Sequence, residues 1–493
     1  MRRAPGLTPL APPGPEGIAD SGLRETGEPI GSSERDRAPA HVALRSALPF
    51  WLKLGCTSFG GPAAQIALMH EELVERRRWI SERRFLHALN YCMMLPGPEA
   101  QQLATYLGWL MHRRLGGILA GILFVLPSLL LLILLSWIYV RFGDLPQVSG
   151  VFYGVKPAVT ALVIHAAQRM GQRTLTTPLL CALAAAAFLA IFLFQTPFPV
   201  LVALAAATGF LASALAGTSP QTTHEESHRR ATGRTSLQAR AALIDDDTQR
   251  SEHTRFHWGR LAQVLAAGAL LWLLPFCALG LLFGWHHTFT QMGWFFTKAA
   301  WLTFGGAYAV LPYVYQGAVV NFGWLTAPQM MDGLALGETT PGPLIIVVAF
   351  VGFVGAATHA ALGPDWPMLG GVLGATVVTW FTFLPSFILV LAGGPLIESS
   401  RGIPKLEAPL RAVTAAVVGV IANLAVFFAL HVLWPHRDAV LPATLVTAAS
   451  GFDWFALALM LGASAALILY KGNVMLVIAV CGVLGLARQL WLT

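Results

Sequence analysis

We expect an all-α, polytopic membrane protein built from two inverted-topology repeats, and three observations predict that class. Hydrophobic residues make up 55% and charged residues 12% of the 493 residues, whereas soluble globular domains carry roughly 25% charged residues. Continuously apolar stretches of about 18 or more residues recur along the chain, each long enough to cross a bilayer, and they exclude the alternating pattern of a transmembrane β-barrel. One pattern of residues also occurs twice, 245 positions apart (304 − 59).

The apolar stretches divide the chain into five parts. A polar leader, residues 1–45, and a polar linker, residues 217–260, are too hydrophilic to form a packed core, so we expect both to be disordered and cytoplasmic. The first repeat is expected at residues 46–216, a connecting transmembrane helix at residues 261–284, and the second repeat at residues 292–491.

Charge and cysteine content exclude several classes of protein. The net charge is +7, but the basic residues include only five lysines and the arginines gather in short loops, which is typical of membrane orientation and not of nucleic-acid binding. The five cysteines show no C-x-x-C spacing, and no metal or cofactor is expected. The chain lacks the motifs of common enzymes, so a membrane-embedded enzyme is the least favoured alternative.

The internal repeat is gap-free across its main landmarks. The offset of 245 positions pairs two glycine motifs, two Pro-Gly-Pro motifs, two lysines and two hydroxyl residues. The pairs are Phe59-Gly60-Gly61 with Phe304-Gly305-Gly306, Pro96-Gly97-Pro98 with Pro341-Gly342-Pro343, Trp79 with Trp324, Lys53 with Lys298, and Ser58 with Thr303.

Arginine clusters set the orientation of the repeats. Basic residues flank both broken segments of the first half, at residues 76–84 and at Arg113 and Arg114, so each segment begins and ends on the cytoplasmic side. We therefore interpret each segment as a re-entrant helical hairpin, followed by four full crossings and a connecting helix that inverts the second half. The alternative counts each broken segment as a full crossing, which gives about 13 transmembrane elements and leaves the repeats inverted.

Glycine and proline interrupt the helices inside apolar sequence, where broken backbone needs a partner. The helices that follow would present N–H groups and the positive end of the helix dipole to the interior, an arrangement that attracts anions. Paired broken helices in inverted repeats are typical of a transporter's substrate site, whereas the alternative is close packing alone. The substrate-binding candidates are Lys53, Ser58, Gly60, Gly61, Gly97, Lys298, Thr303, Gly305, Gly306 and Gly342.

Two basic and two acidic residues lie near the breaks in the sequence. The ammonium groups of Lys53 and Lys298 can hold an oxyanion, although lysines near helix ends also reach towards the membrane interface. Glu99 follows the first Pro-Gly-Pro motif and Glu338 precedes the second by three residues, so both carboxylates are candidates for proton coupling. For Glu99 the alternative role is compensation of the helix dipole.

At these motifs the sequence resembles the chromate ion transporter family, as a long-chain, two-domain member. The resemblance rests on Ser58-Phe59-Gly60-Gly61-Pro62, on Leu95-Pro96-Gly97-Pro98-Glu99, and on Glu338-Thr339-Thr340-Pro341-Gly342-Pro343, and it covers roughly residues 45–215 and 290–490. It implies an inner-membrane carrier that exports chromate and confers chromate resistance. A transporter of sulfate or a related oxyanion, working as importer or exchanger, stays open as the alternative. Protons are the candidate coupling ion, and a homodimer is one expected assembly.

The predicted topology can be tested by cysteine labelling. An Arg77→Cys variant in a cysteine-free background is expected to resist an impermeant thiol reagent added outside intact cells, because residues 76–84 are cytoplasmic. A cysteine added at Thr493 is expected to react, because the C-terminus lies on the opposite side. Labelling of Arg77→Cys from outside would contradict the hairpins and leave the inverted repeat intact.

Overall fold

The computed structural model describes residues 42–143, 145–215, 243–244, 256–304, 306–399, 407–435 and 451–492. Within these ranges the chain forms sixteen α-helices and one isolated bridge, between Ile80 and Ile244. The expected all-helical class is thereby confirmed. Most of the leader, most of the linker and the candidate residue Gly305 lie outside the described residues.

Seven helices form the first half. They are α1 (Leu44–Thr57), α2 (Gly61–His70), α3 (Glu82–Met94), α4 (Glu99–Phe142), α5 (Pro146–Thr174), α6 (Pro178–Phe194) and α7 (Phe198–Leu215). Local chemistry starts several of them: the Ser81 and Thr177 side chains accept hydrogen bonds from the first turns of α3 and α6, and Pro146 opens α5.

The connecting helix and the second half contain the other nine. They are α8 (Trp258–Phe283), α9 (Thr288–Leu302), α10 (Ala307–Tyr315), α11 (Ala327–Thr339), α12 (Val347–Thr358), α13 (Pro367–Ser399), α14 (Glu407–Leu433), α15 (Trp454–Ile468) and α16 (Val474–Leu492). Thr326 and Gln329 form a reciprocal cap at the start of α11, and Asp453 caps α15. The connecting helix begins at Trp258, slightly before its expected start.

The long helix α4 consists of two antiparallel arms. Its backbone leaves helical geometry at His112 and Arg113, and Arg113 adopts a φ of 59°. Residues beyond this turn pack on residues before it, so that a Cβ added at Gly117 would lie 2.8 Å from the carbonyl oxygen of Thr105. The turn predicted at Arg113 and Arg114 is therefore present. Helices α12 and α13 make the corresponding antiparallel pair in the second half, where Gly352 packs on Gly374.

The segment from α1 to α3 doubles back on itself. Helix α1 is about 21 Å long, at 1.5 Å per residue, and Phe50 lies in its second turn. The Trp79 ring, 22 residues beyond the end of α1 (79 − 57), lies 5.4 Å from the Phe50 ring. In the second half the Phe295 and Trp324 rings, 245 positions later, lie 5.7 Å apart. Each broken segment thus returns to the level of the middle of its first helix.

The two halves also repeat an unusual backbone feature. Helix α2 continues into a π-helical turn at Glu71–Arg76, and α10 continues into one at Gln316–Asn321, again 245 positions later (316 − 71). π-Helical turns are rare and cluster at functional sites. Their recurrence at matching positions shows that the repeated sequence produces repeated local structure.

Several chain segments meet on one basic face. The His112 ring bonds to the carbonyl oxygen of Val42 at 2.8 Å, which places the turn of α4 beside the start of α1. The Arg114 guanidinium donates to the Arg260 carbonyl oxygen at 3.3 Å, which joins the same turn to the start of α8. The backbone of linker residue Ile244 accepts a hydrogen bond from the Ser81 N–H. The turn of α4 therefore lies beside the starts of α1 and α8, and the loop at Ser81 contacts the linker.

Within the part of the chain that the structure describes, six helices are long and apolar enough to cross a membrane: α4, α5, α8, α13, α14 and α16. Helix α8 turns most of its surface outwards, with Leu270 55%, Leu274 60% and Leu281 79% exposed. Such a surface fits lipid, because water would penalise a continuous apolar stripe of this size. The chain is therefore a multi-pass membrane protein.

Close helix contacts depend on glycine, and one pair of glycines allows a controlled test. A Cβ at Gly154 of α5 would overlap the backbone carbonyl of Cys481 on α16, whereas a Cβ at Gly462 of α15 would meet nothing within 4 Å. We expect Gly154→Ala to lower the melting temperature of the detergent-solubilised protein, at a cost of about 1–3 kcal/mol.

The matched variant Gly462→Ala is expected to leave the melting temperature unchanged or to raise it, because alanine favours the helix. Equal melting temperatures for the two variants would show that α5 and α16 do not pack as closely as described.

Candidate functional site

The first helix break lies between α1 and α2. Helix α1 ends at Thr57. Three residues later, Gly60 and Gly61 have φ values of 89° and 78°, a region that residues other than glycine rarely enter. Pro62 then stands in the first turn of α2, where its missing N–H costs nothing. The equivalent break before α10 has Gly306 at a φ of 98°.

The two Pro-Gly-Pro motifs form the other pair of breaks. Gly97 has a φ of 131° and Gly342 a φ of 98°. Pro98 immediately precedes the first arm of α4, and Pro343 precedes the short 3₁₀ turn Leu344–Ile346 that leads into α12. All four breaks occur at the predicted motifs.

Hydrogen bonds cross between the halves at these breaks. The Gly97 N–H donates to the carbonyl oxygen of Thr303 at 2.8 Å, and the Gly342 N–H donates to the carbonyl oxygen of Ser58 at 2.8 Å. Each donor stands at a Pro-Gly-Pro motif of one half and each acceptor at a glycine break of the other. We call these two bonds the reciprocal latch. The four breaks therefore converge on one place in the molecule.

Two serine hydroxyls pack against the glycines of the latch. The Ser128 hydroxyl of α4 donates to the Pro341 carbonyl oxygen, and a Cβ at Gly342 would overlap that hydroxyl. A Cβ at Gly97 would overlap the Ser386 hydroxyl of α13 in the same way. Only glycine fits between these hydroxyls and the broken backbone.

Two buried glutamines, which the sequence reasoning missed, bind the breaks. The Gln65 side chain of α2 donates to the Ser58 carbonyl at 3.2 Å and also to the Gly342 carbonyl, so it bridges both halves. The Gln102 side chain donates to the Pro96 carbonyl at 2.7 Å. Both residues are at most 1% exposed. The signal that could have found them is a glutamine within an apolar helix next to a glycine break.

The two hydroxyl candidates satisfy their own helices. The Ser58 hydroxyl donates to the Leu54 carbonyl at 2.5 Å, and the Thr303 hydroxyl donates to the Ala299 carbonyl at 2.7 Å. Their backbone carbonyls, and not their hydroxyls, hold the opposite half. In this conformation neither hydroxyl is directed at a ligand.

The two lysine candidates lie away from the latch. Lys53 and Lys298 are both exposed. The Lys298 ammonium lies 5.7 Å from the centre of the Trp294 ring, a cation–π contact on the outer surface of α9. The structure therefore brings together the glycines and carbonyls of the predicted site and leaves its lysines outside.

The two acid candidates both lie next to the first residues of α10 or the break before it. Glu338, at the end of α11, is 7% exposed and accepts a hydrogen bond of 2.6 Å from the Tyr308 hydroxyl. Glu99 is the first residue of α4, as expected for dipole compensation, and a Cβ on Gly306 would lie 3.7 Å from its carboxylate.

A further buried acid lies deeper in α11. The Lys156 ammonium is 3.7 Å from one oxygen of Asp332, and the Tyr139 hydroxyl donates to the other at 2.9 Å. Asp332 is only 3% exposed, so the pair joins α5, α4 and α11 inside the protein. Among the described residues, no group of three or more side chains is placed to hold a metal ion.

A multi-pass helical bundle whose broken helices from two halves are joined by hydrogen bonds at buried Gly97 and Gly342 has the architecture of a membrane transporter. The family model for chromate transporters matches residues 46–210 and 290–486, so the chain belongs to the chromate transporter family.

Proteins of known sequence support this assignment. The chain is similar to the chromate transport protein of Pseudomonas aeruginosa, with 35% identity over 75% of this chain and 77% of that protein. It is also similar to the chromate transport protein of Cupriavidus metallidurans, with 29% identity over 80% of this chain and 84% of the relative. A probable chromate transport protein of Synechococcus elongatus is 30% identical over 79% and 85%. No solved structure matches.

The close packing of Ser128 on Gly342 predicts that a methyl group added at Gly342 disrupts the latch. Gly342→Ala is expected to abolish transport for two reasons. The added Cβ would collide with the Ser128 hydroxyl, and the backbone φ of 98° at residue 342 is strained for alanine. Gly363→Ala is the matched control, since Gly363 has a φ of 92° and open space around it. It incurs only backbone strain, about 1–3 kcal/mol.

Transport into vesicles, normalised to folded protein, measures both variants. The double variant Gly342→Ala with Ser128→Gly removes the colliding hydroxyl and is expected to recover part of the activity. Wild-type transport in Gly342→Ala would show that the latch is not needed.

Proposed function

We propose that the chain is a secondary transporter that exports chromate across the bacterial inner membrane and thereby confers chromate resistance. The observation that carries the proposal is the reciprocal latch, found in a member of the chromate transporter family. Helix breaks buried between two halves of a carrier are suited to bind an oxyanion, because they supply backbone N–H groups at helix starts.

The repeated contacts support an inverted arrangement of the two halves. The latch, the ring pairs at Trp79 and Trp324, and the π-helical turns all recur 245 positions apart. A single helix, α8, connects the halves, and one extra crossing turns the second half over in the membrane. In this topology the leader and linker are cytoplasmic and the C-terminus is periplasmic.

We infer that the latch belongs to a closed step of the transport cycle. The N–H groups of Gly97 and Gly342 are bound to carbonyl oxygens of the opposite half. An oxyanion competes for such donors, since a charged acceptor forms the stronger hydrogen bond. Binding of chromate would then exchange a bond between the halves for a bond to substrate, and this exchange lets the halves move relative to each other.

Chromate and sulfate share charge and shape, so the pocket alone does not select between them. The relatives named as chromate transport proteins favour chromate over the sulfate alternative. The direction of transport is set by coupling to another gradient.

Chromate accumulation in cells with and without the gene tests substrate and direction together. Cells that carry the gene are expected to accumulate less chromate and to tolerate more of it than cells with an empty vector. Excess sulfate is expected to compete and restore accumulation in part. Greater chromate accumulation in cells that carry the gene would establish import and overturn the proposed direction.

Coupling to protons is assigned to Glu338, since this carboxyl is buried between the two breaks of the second half. Glu338→Gln is expected to retain chromate exchange between the two sides of a vesicle but to lose concentrative movement driven by a pH gradient. The amide cannot take up and release the proton, while it preserves the shape of the side chain.

Glu99→Gln provides the matched comparison, because the Glu99 carboxylate of the first half lies near Gly306 of the second half. A role in dipole compensation predicts that Glu99→Gln retains movement driven by the pH gradient. Such movement at the wild-type rate in Glu338→Gln would exclude Glu338 as the coupling site, whereas loss of exchange as well would indicate a structural role.

A further inference from the structure

A second concave site lies at the basic end of the bundle, away from the latch. It is a pocket of about 450 Å³ between the turn of α4, the start of α8 and the end of α13. Five basic side chains line it: His112, Arg113, Arg114, His257 and Arg260. We call it the basic pocket. No acidic side chain lines it among the described residues.

The remaining walls of the basic pocket are apolar. Trp109 of α4, Leu261 and Val264 of α8, and Leu391 and Pro395 of α13 form them. A small inorganic anion would leave this apolar surface unused. A ligand that carries both an anionic group and hydrocarbon would cover the whole lining.

The pocket opens where the bundle meets the membrane surface. Trp258 stands at the start of α8 and is 77% exposed, as tryptophans at the membrane interface are. Beyond the pocket, α8 continues as a mostly exposed apolar helix, with Leu265 48% and Leu270 55% exposed. A hydrocarbon chain held at the pocket can therefore continue along α8 into the bilayer.

The two consecutive arginines of the α4 turn have different surroundings. The Arg114 guanidinium donates to the Gln263 side chain at 3.4 Å and to the Arg260 carbonyl at 3.3 Å, which ties the α4 turn to α8. Arg113 is exposed and has a φ of 59° at the tip of the turn. Two consecutive arginines, one of them anchored to α8, thus line one cavity.

We propose that the basic pocket binds the phosphodiester headgroup of an anionic phospholipid, whose acyl chains lie against α8. Guanidinium groups recognise phosphate oxygens through paired hydrogen bonds, and basic pockets between transmembrane helices suit anionic headgroups. Because α8 connects the two halves, the bound lipid fixes the α4 turn to the connecting helix. This site is separate from the oxyanion site at the latch.

Native mass spectrometry of the delipidated full chain tests the site. Added phosphatidylglycerol is expected to bind more tightly than phosphatidylcholine with the same acyl chains. The double variant Arg113→Gly with Arg260→Gln is expected to bind phosphatidylglycerol about 30-fold more weakly, since each charge near the surface contributes roughly fivefold. Arg113→Gly alone, which places glycine at a positive φ, is expected to lose about fivefold without harm to folding.

Arg141→Gln is the matched control, because Arg141 lies at the far end of the second arm of α4, away from the turn. This variant is expected to bind the lipid as the wild type does. Equal affinity for the two lipids, or unchanged affinity in both pocket variants, would overturn the proposal. So would displacement of the lipid by sulfate beyond that caused by sodium chloride of equal ionic strength, which would identify the pocket as a site for a free oxyanion. Transport assays of the latch variants are independent of these results.

Discussion

The pair of hydrogen bonds between the halves is the interaction on which the rest of the structure depends. A helix that breaks inside an apolar bundle leaves N–H and carbonyl groups that cost several kcal/mol if they stay unpaired. The Gly97 N–H pairs with the Thr303 carbonyl, and the Gly342 N–H pairs with the Ser58 carbonyl. Each half supplies the hydrogen-bond partner that the break in the other half lacks. The duplicated sequence therefore offsets the free-energy cost of breaking helices inside the bundle.

Steric fit then determines which residues can surround the latch. The hydroxyls of Ser128 and Ser386 occupy the space in which side chains at Gly342 and Gly97 would lie. Helices α4 and α13, which carry these serines, are the longest elements of their halves. The second arm of α4 folds back on its first arm, and α13 folds back on α12, so that each packs on the helix that follows a Pro-Gly-Pro break. The long helices therefore both cross the membrane and position the broken backbone.

Two of the buried polar side chains at the breaks have no polar counterpart in the other half. Glu338 has Met93 at the equivalent position, and the Gln65 that bridges the halves has Val310 (65 + 245). A repeated backbone thus carries a set of buried polar groups that is only partly repeated.

The sequence by itself determined the helical membrane class, the repeat, the turn at Arg113 and the positions of the four breaks, because hydropathy, glycine and proline act through local backbone chemistry. Only the tertiary structure decided which groups meet. It paired the breaks across the halves, turned the Ser58 hydroxyl to its own helix, brought Gln65 to the latch and left Lys53 exposed. These outcomes depend on partners from the other half of the chain, and no local pattern of residues encodes such distant contacts.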